Sequence, residues 1–199
     1  MPEKRAAVPE TTASPRILRR RERMRAALVA AASRQFAARG VGAVSVEELI
    51  AEADVSRATF YRFFSSKYNL LEDILNPIFK DAVALIDRQM AEAPLAALEG
   101  LIDAYWQLWE RHRDGMLLIP VVSPEAFRHF SRQHAALNDA MLRLLQKAER
   151  ADVLRNGSAQ YSLKVIARTA IPLLRVYDGH PAAEGMFGDA LRGLLIRAH

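Results

Sequence analysis

The sequence predicts an all-α protein of about nine helices, on three observations. Apolar residues recur at steps of three and four over most of the chain, which is the spacing of one helix face. The alternation of apolar and polar residues that marks a β-strand occurs nowhere. With 51% hydrophobic residues in 199, the chain has enough apolar side chains for a packed core of one or two domains.

Composition excludes several functional classes. The chain has no cysteine, so disulfide scaffolds, cysteine-ligated zinc, iron–sulfur clusters and thiol nucleophiles are ruled out. Even its richest apolar stretch, residues 165–177, is interrupted by Arg168 and Arg175 before it reaches the roughly 18 residues of a membrane span. The first 15 residues lack the apolar segment of a secretory signal. We therefore expect a cytoplasmic protein that has no membrane partner.

Positive charge is concentrated in the first third of the chain. Residues 1–70 hold 13 Lys and Arg against 7 Asp and Glu, whereas residues 71–199 hold 15 against 16. Six arginines lie in one ten-residue stretch, Arg16–Arg25, which is a candidate surface for binding polyphosphate. A solvated helix face, a frayed tail or a helix lying on an anionic membrane would carry the same charge.

The first element is a long amphipathic helix. Residues 1–15 hold three prolines and no apolar periodicity, so they are predicted to form a disordered arm. Helix formers then dominate from Ile17 to Arg39, and Gly40 supplies a left-handed stop.

Two short helices follow the first. Ser45 with Glu48 three residues later forms a capping box, which predicts a helix that ends near Ala53. The turn at 54–56 contains Asp54, which tolerates the left-handed conformation, and Ser56, which caps a third helix over Arg57–Phe64. Three helices of these lengths match a helix-turn-helix unit that is preceded by a helix packed against it.

The rest of the chain also reads as helical. Pro77 and Pro172 lie inside helical patterns, where each is predicted to kink its helix or to begin a new one. The predicted segments are Lys67–Ala93, Leu95–Arg113, Glu125–Arg150, Ala159–Gly179 and Ala182–Ala198.

A motif in the third helix and the start of the fourth is the most specific signal. It reads Val55-Ser56-x-x-Thr59-Phe60-Tyr61-x-x-Phe64-x-x-Lys67 and resembles the DNA-binding domain of TetR family transcriptional regulators over about residues 22–82. The chain departs from that family's usual pattern at Asp54, where a glycine is common, and at Ile50, where a small residue is common. The resemblance implies a DNA-binding domain over 16–66, with its motif at 45–64, and a helical effector-binding and dimerisation domain over 67–199.

Physical roles follow for the residues of this motif. Arg57, at the start of the recognition helix, has the donors to read guanine O6 and N7, and Lys67 has the charge to hold phosphate. Val55, Phe60 and Phe64 are predicted to be core residues. The candidate DNA contacts are Ser45, Ser56, Arg57, Ala58, Thr59, Tyr61, Arg62 and Lys67. Capping of helices by the two serines is compatible with phosphate contact.

The resemblance also implies a ligand cavity surrounded by residues 101–119, 127–145 and 165–177. Aromatic and methionine side chains at helical spacing are more often ordinary core, so the pattern alone does not select the lining. Arg168 and Arg175 share one helix face. The alternative to a ligand-binding role for these two arginines is the formation of salt bridges at a subunit interface. The candidates for ligand binding are Tyr105, Trp106, Trp109, Met116, Phe127, Phe130, Asn138, Arg168, Arg175 and Tyr177.

The predicted function is sequence-specific DNA binding for transcriptional regulation. The resemblance implies a homodimer through the last two helices, and a repressor that a small apolar or amphipathic effector releases from double-stranded DNA. No motif for a metal, a cofactor or an enzymatic reaction is present, since the five histidines lack metal-like spacing and no glycine-rich phosphate loop occurs. An activator that needs no effector, or an architectural DNA-binding protein, is the alternative.

Overall fold

The computed structural model describes residues 14–197 and is helical throughout, as predicted. Within that range there are eight α-helices of seven residues or more, one single-turn α-helix and two 3₁₀ turns at Ile119–Val121 and Arg128–Phe130. The only strand-like feature there is an isolated bridge between Leu154 and Ile196. The helices are α1 (Pro15–Arg39), α2 (Val46–Glu52), α3 (Arg57–Phe63), α4 (Lys67–Gln89), α5 (Pro94–Met116), α6 (Pro124–Phe127), α7 (Ser131–Arg150), α8 (Ala159–Tyr177) and α9 (Ala183–Leu195).

The ends of the first helix depart slightly from the prediction. Pro15 is the first residue of α1, so the helix begins two residues earlier than expected, and residues 1–13 of the predicted arm lie outside the described part of the chain. Proline is favourable at a helix start because its missing N–H would have no partner there. Gly40 has φ +76° and its N–H donates to the carbonyl of Phe36, which ends the helix as predicted.

The later helices differ from the prediction over residues 125–150. Of the two outcomes predicted for Pro77 and Pro172, a new helix does not occur, since α4 and α8 each continue through the proline. The segment predicted as one helix over 125–150 is instead α6, a 3₁₀ turn at Arg128–Phe130 and α7. The break buries Phe130 completely and brings its ring to 6.0 Å from that of Phe79.

α4 is the helix that connects the two parts of the fold. It packs mainly against α5 and α7, and it also packs against α1. Buried side chains form one connected core that extends from Leu28 in α1 to Leu195 in α9. Within residues 14–197, no helix is long and apolar enough to cross a bilayer. α4 is therefore in contact both with the first helix and with the helices of the second half of the chain.

Candidate DNA-binding surface and effector cavity

α2 and α3 are built around two serine caps. The Ser45 hydroxyl accepts from the N–H of Glu48, while the Glu48 carboxylate accepts from the N–H of Ser45 at 2.7 Å, which confirms the predicted capping box. Ser56 caps α3 by accepting from the N–H of Thr59 at 3.1 Å. Between the helices Asp54 has φ +51°, the left-handed conformation expected of this turn.

Glu48 is held as a carboxylate by its neighbours. The hydrogen bond from the Ser45 N–H, followed by those from Arg39 and the Ser45 hydroxyl, lowers the pKa of Glu48 to about 2. Arg39 also donates to the carbonyl of Ala43 at 2.9 Å. The loop between α1 and α2 is thereby tied to both of its helices.

Burial separates the recognition helix α3 into two faces. Phe60 and Phe64 are buried and Val55 is partly buried, as predicted for core residues. On the opposite face Arg57, Ala58, Tyr61 and Arg62 are exposed, together with Ser56 at the cap, while Thr59 is intermediate. The predicted base-reading and phosphate-binding side chains of α3 thus lie on one accessible face.

Arg57 has partners on both sides. Its Nη1 donates to Oε1 of Glu47 in α2 at 2.6 Å, and its guanidinium lies 5.6 Å from the centre of the Tyr61 ring. Glu47 was not predicted from the sequence to have a role at this surface. Arg57 and Glu47 are ten residues apart in different helices, so only the crossing of α2 and α3 brings them together.

Lys67 makes internal contacts that the motif did not predict. Its Nζ donates to the carbonyls of Gly42 at 3.0 Å and Val44 at 2.7 Å, both in the loop before α2. These bonds attach the start of α4 to the loop that precedes α2. The side chain therefore has a structural role besides the proposed phosphate contact.

The N-terminal half of α1 extends beyond the core. Most residues from Pro15 to Ala26 are exposed, and the first buried residue of the helix is Leu28. Arg25 forms an ion pair with Asp73 of α4. The arginines of the basic stretch are consequently presented on a helix, not on an extended arm.

A cavity of about 130 Å³ lies between α4, α5, α7 and α8. Three residues predicted for ligand binding line it, namely Tyr105, Met116 and Asn138. The wall from α4, which includes Ile78 and Ala82, was not expected from the sequence, since these positions read as an ordinary apolar stripe. The cavity is smaller than the roughly 300–1,000 Å³ of most ligand pockets.

The remaining ligand candidates lie elsewhere. Trp106 and Trp109 line a shallow surface groove beside the turn after α8, and Phe130 is a core residue. Phe127 lies behind the cavity wall, with its ring 4.8 Å from that of His134. Three further candidates, also absent from the lining, are exposed or partly exposed on α8, namely Arg168, Arg175 and Tyr177. These seven residues are therefore left out of the proposed site.

His134 lines the cavity beside Asn138, although it is not among the ten ligand candidates given above. Its Nδ1 lies 3.3 Å from Nδ2 of Asn138. Burial lowers the pKa of His134, so the ring is neutral at pH 7. Among the described residues, no three histidine, aspartate or glutamate side chains are arranged to hold a metal ion.

Comparison with known proteins agrees with the arrangement of the first helices. The family model of bacterial regulatory proteins of the tetR family matches residues 28–74, which include α2, α3 and the start of α4. The comparison with curated proteins finds no match.

Solved structures show the same fold over nearly the whole chain. A regulatory protein from Rhodococcus RHA1 has 20% identity, a TM-score of 0.69, and coverage of 88% of this chain and 98% of its own. The ketosteroid transcriptional regulator of Mycobacterium tuberculosis has 20% identity, a TM-score of 0.72, and coverage of 88% and 95%. A gamma-butyrolactone receptor has 20% identity, a TM-score of 0.57, and coverage of 87% and 98%. The helix-turn-helix unit thus matches the family model of bacterial regulatory proteins of the tetR family, and the chain has the fold of TetR family transcriptional regulators.

Proposed function

We propose that the protein is a homodimeric repressor that leaves its operator when a small molecule occupies the cavity between α4, α5, α7 and α8. Residues 16–66 bind DNA, preceded by an N-terminal arm at 1–15, and residues 67–199 bind the effector and form the dimer. The single observation that carries this proposal is that one helix, α4, contributes to the cavity wall and is bonded to the DNA-binding unit.

The connection through α4 supplies a route for coupling. At its start, Lys67 holds the carbonyls of Gly42 and Val44. Further along, Ile78 borders both the cavity and the groove between α1, α4 and α5. A ligand that binds more tightly when Ile78 occupies one of two positions shifts α4 towards the corresponding position. The ratio of the ligand's affinities for the two states limits how far the affinity for the operator falls.

Close packing beside the cavity favours the transmission of a ligand-induced movement to neighbouring helices over a rearrangement confined to the cavity wall. A Cβ on Gly115 of α5 would lie 2.5 Å from Cδ1 of Ile78, so a larger residue at this position would require the Ile78 side chain to move. The next residue, Met116, lines the cavity. Since little space separates the helices, a change in the cavity is passed to α1 instead of being absorbed.

The surface of α8 and α9 suits a two-fold interface. Tyr161 and Val176 on α8 and Met186 and Leu194 on α9 are large apolar side chains exposed to solvent. Pairing these faces would form a four-helix interface and place two α3 helices on one side of the dimer. For B-DNA the two helices then need a separation of about 34–36 Å to enter successive major grooves.

Within each DNA-binding unit, Arg57 and Arg62 are proposed to reach base edges or phosphates from the exposed face of α3. Thr59 and Tyr61 present hydroxyls for phosphate oxygens, and Ala58 is small enough for close approach to the groove. Ser45, Ser56 and Lys67 lie at helix starts, where N–H groups favour anions. A face with this mixture of donors fits a duplex more readily than a protein partner.

Operator binding is tested by mapping genomic binding sites and measuring affinity by fluorescence anisotropy. Arg57→Ala is expected to cost about 1–3 kcal/mol on the operator and to relax the preference at one base pair. Arg88→Ala, an exposed arginine of α4, serves as the control. Binding that ignores sequence in the unaltered protein would contradict the proposal.

Effector release is a separate measurement. Two solved neighbours are described as a ketosteroid regulator and a gamma-butyrolactone receptor, which supports small organic molecules as effectors of this fold. Titration of cavity ligands against the protein–operator complex should lower the anisotropy. An activator or architectural protein that needs no effector would stay bound at saturating ligand.

A further inference from the structure

The chemistry of the cavity wall restricts what can bind there. The lining contains no Asp, Glu, Lys or Arg, and most of its surface is apolar. Its only titratable groups are the Tyr105 hydroxyl and the His134 imidazole, and burial raises the pKa of Tyr105 and lowers that of His134. Both groups are therefore uncharged at pH 7. An ionic ligand would lose its hydration here without gaining a counter-ion, so charged molecules are strongly disfavoured.

The Tyr105 hydroxyl is a donor without a strong acceptor. Among the described residues its contact is Sδ of Met141 at 3.8 Å, and a thioether is a weak acceptor. Tyr105 lines the cavity, and so does Met141, the residue that its hydroxyl contacts. An oxygen acceptor supplied by a ligand would satisfy it better than the sulfur does.

His134 and Asn138 form a second polar pair in the same wall. With Nδ2 of Asn138 donating to Nδ1 of His134, the imidazole proton lies on Nε2. The ring is held edge-on by Phe127, at 4.8 Å and 79°, and by Phe79, at 6.4 Å and 87°. Aromatic contacts on this scale restrict the ring, so the pair is preorganised and neutral.

The size of the cavity limits the ligand further. Apolar protein cavities of about 150 Å³ accommodate benzene, and this one has about 130 Å³. The present conformation thus takes one small ring or an aliphatic chain of similar bulk. Larger molecules require the wall to open.

From these features we infer that the effector is a neutral, mainly apolar molecule about the size of a single ring, with one oxygen that accepts a hydrogen bond from Tyr105. The inference rests on the proposed function in naming this cavity as the effector site. Its chemical content comes from the uncharged lining, the weakly paired hydroxyl and the volume.

Three probes of similar size separate the chemical classes. Cyclohexanone is neutral with one acceptor, methylcyclohexane is neutral with none, and cyclopentanecarboxylate is an anion. Calorimetric titration of the whole protein should show binding of the two neutral probes and no binding of the carboxylate. Tighter binding of the carboxylate, or no binding of any probe at millimolar concentration, would overturn the inference.

The hydroxyl is tested by Tyr105→Phe, which keeps the ring. Cyclohexanone affinity is expected to fall about two- to ten-fold, the worth of one hydrogen bond, while methylcyclohexane affinity stays unchanged. Tyr68→Phe removes a hydroxyl from a partly exposed tyrosine of α4 that does not line the cavity, and it should alter neither probe. Equal losses for both probes in Tyr105→Phe would contradict the role of the hydroxyl.

The location is tested by filling the cavity. Ala104→Leu places three further carbons in the wall and should abolish binding of both neutral probes. If its melting curve shows that it does not fold, Ala82→Val adds less bulk at another lining position and should weaken both. If a folded variant bound both neutral probes with unchanged affinity, the assignment of this cavity as their binding site would be wrong.

Operator release is then read by anisotropy with the same probes. Selective binding of the neutral probes without release would contradict the proposed repressor mechanism and leave the ligand class intact. Release caused by the carboxylate alone would support effector control but overturn the inferred chemistry. The two proposals can therefore fail independently.

Discussion

Nη1 of Arg57 lies 2.6 Å from Oε1 of Glu47, which pairs the first residue of the recognition helix with a carboxylate of α2. Both side chains are more than half exposed, so the pair contributes about 0–1 kcal/mol to stability. Its larger consequence is for the proposed DNA contact, because Arg57 would share its donors between Glu47 and the duplex. The carboxylate also places a negative charge on the face that is proposed to meet phosphate.

Glu47→Gln is therefore expected to strengthen DNA binding. Removing one negative charge near a phosphate makes the free energy of DNA binding more favourable by about 1 kcal/mol. This corresponds to a roughly five-fold gain in affinity for operator and random DNA alike. The thermal midpoint should barely change. Anisotropy titrations at several salt concentrations measure the effect, with Glu184→Gln on α9 as an equal charge change in the second domain. A loss of operator affinity would instead show that Glu47 positions Arg57 for base reading.

Lys67→Met is expected to destabilise the fold. The substitution keeps most of the aliphatic chain but removes the ammonium that donates to the carbonyls of Gly42 and Val44. Hydrogen bonds to a charged group contribute about 1.5–3 kcal/mol each when shielded, and this side chain is only partly buried, so a total loss of about 1–3 kcal/mol is expected in denaturant unfolding. Lys80→Met, on the exposed face of α4, should have no such effect.

DNA binding by the Lys67 variant separates its two roles. Measured well below the melting temperature, a uniform fall in affinity for all sequences indicates a phosphate contact as well as the internal bonds. Unchanged affinity with lowered stability would leave the structural role alone.

The sequence predicted the local features of the DNA-binding unit and missed its long-range pairs. Ser45, Ser56, Asp54 and Gly40 act through neighbours one to four residues away, so spacing alone was sufficient. Lys67 reaches carbonyls more than 20 residues away. Such pairs depend on how whole helices cross, which no short pattern contains.

The cavity illustrates a second limit. Tyr105 and Trp106 are adjacent in the chain, yet one lines the cavity and the other lies in a surface groove. A rotation of α5 by one residue, about 100°, would exchange them. Periodicity identifies an apolar face but does not fix helix rotation well enough to choose its lining residues.

The basic stretch of α1 is expected to set part of the salt dependence of DNA binding. Because a helix with side chains is about 10–12 Å wide and the minor groove about 6 Å, this helix fits phosphates better than the groove floor. Changing Arg16, Arg19, Arg20 and Arg23 to Gln should reduce the slope of log K against log salt by about 0.9 for each phosphate that the helix no longer neutralises. Stability should not change, since these side chains are exposed.

A quadruple substitution of Arg88, Arg132, Arg150 and Arg155 to Gln is the matched control. These arginines are exposed on α4, on α7 and in the loop after α7, so the variant loses the same charge outside the basic stretch and outside α8 and α9. If both variants alter the slope equally, net charge is responsible and not binding by α1.

Acid is expected to weaken the start of α2. The pKa of Glu48 is about 2 in the folded chain against 4.5 as its ordinary value, because the Ser45 N–H and Arg39 favour the carboxylate. The contribution of Glu48 to the free energy of unfolding is therefore fully present above pH 4.5, and it is lost as the pH falls from 4.5 towards 2. Glu48→Gln keeps a hydrogen-bonding side chain for the cap and should show a flatter stability profile over that range. Glu184→Gln should retain the unaltered profile.

Dimer formation through α8 and α9 is tested by Val176→Glu. Val176 is 73% exposed in the single chain, and the proposed interface would bury it. A two-fold interface contains every change twice, so burial of the two carboxylates should raise the dimer dissociation constant about tenfold or more. Operator affinity should fall with it, since two recognition helices bind together only in the dimer. Light scattering coupled to size exclusion measures the mass, with Val121→Glu, at an exposed valine between α5 and α6, as the control. A Val176→Glu protein with an unchanged dimer mass at low micromolar concentration would place the interface elsewhere.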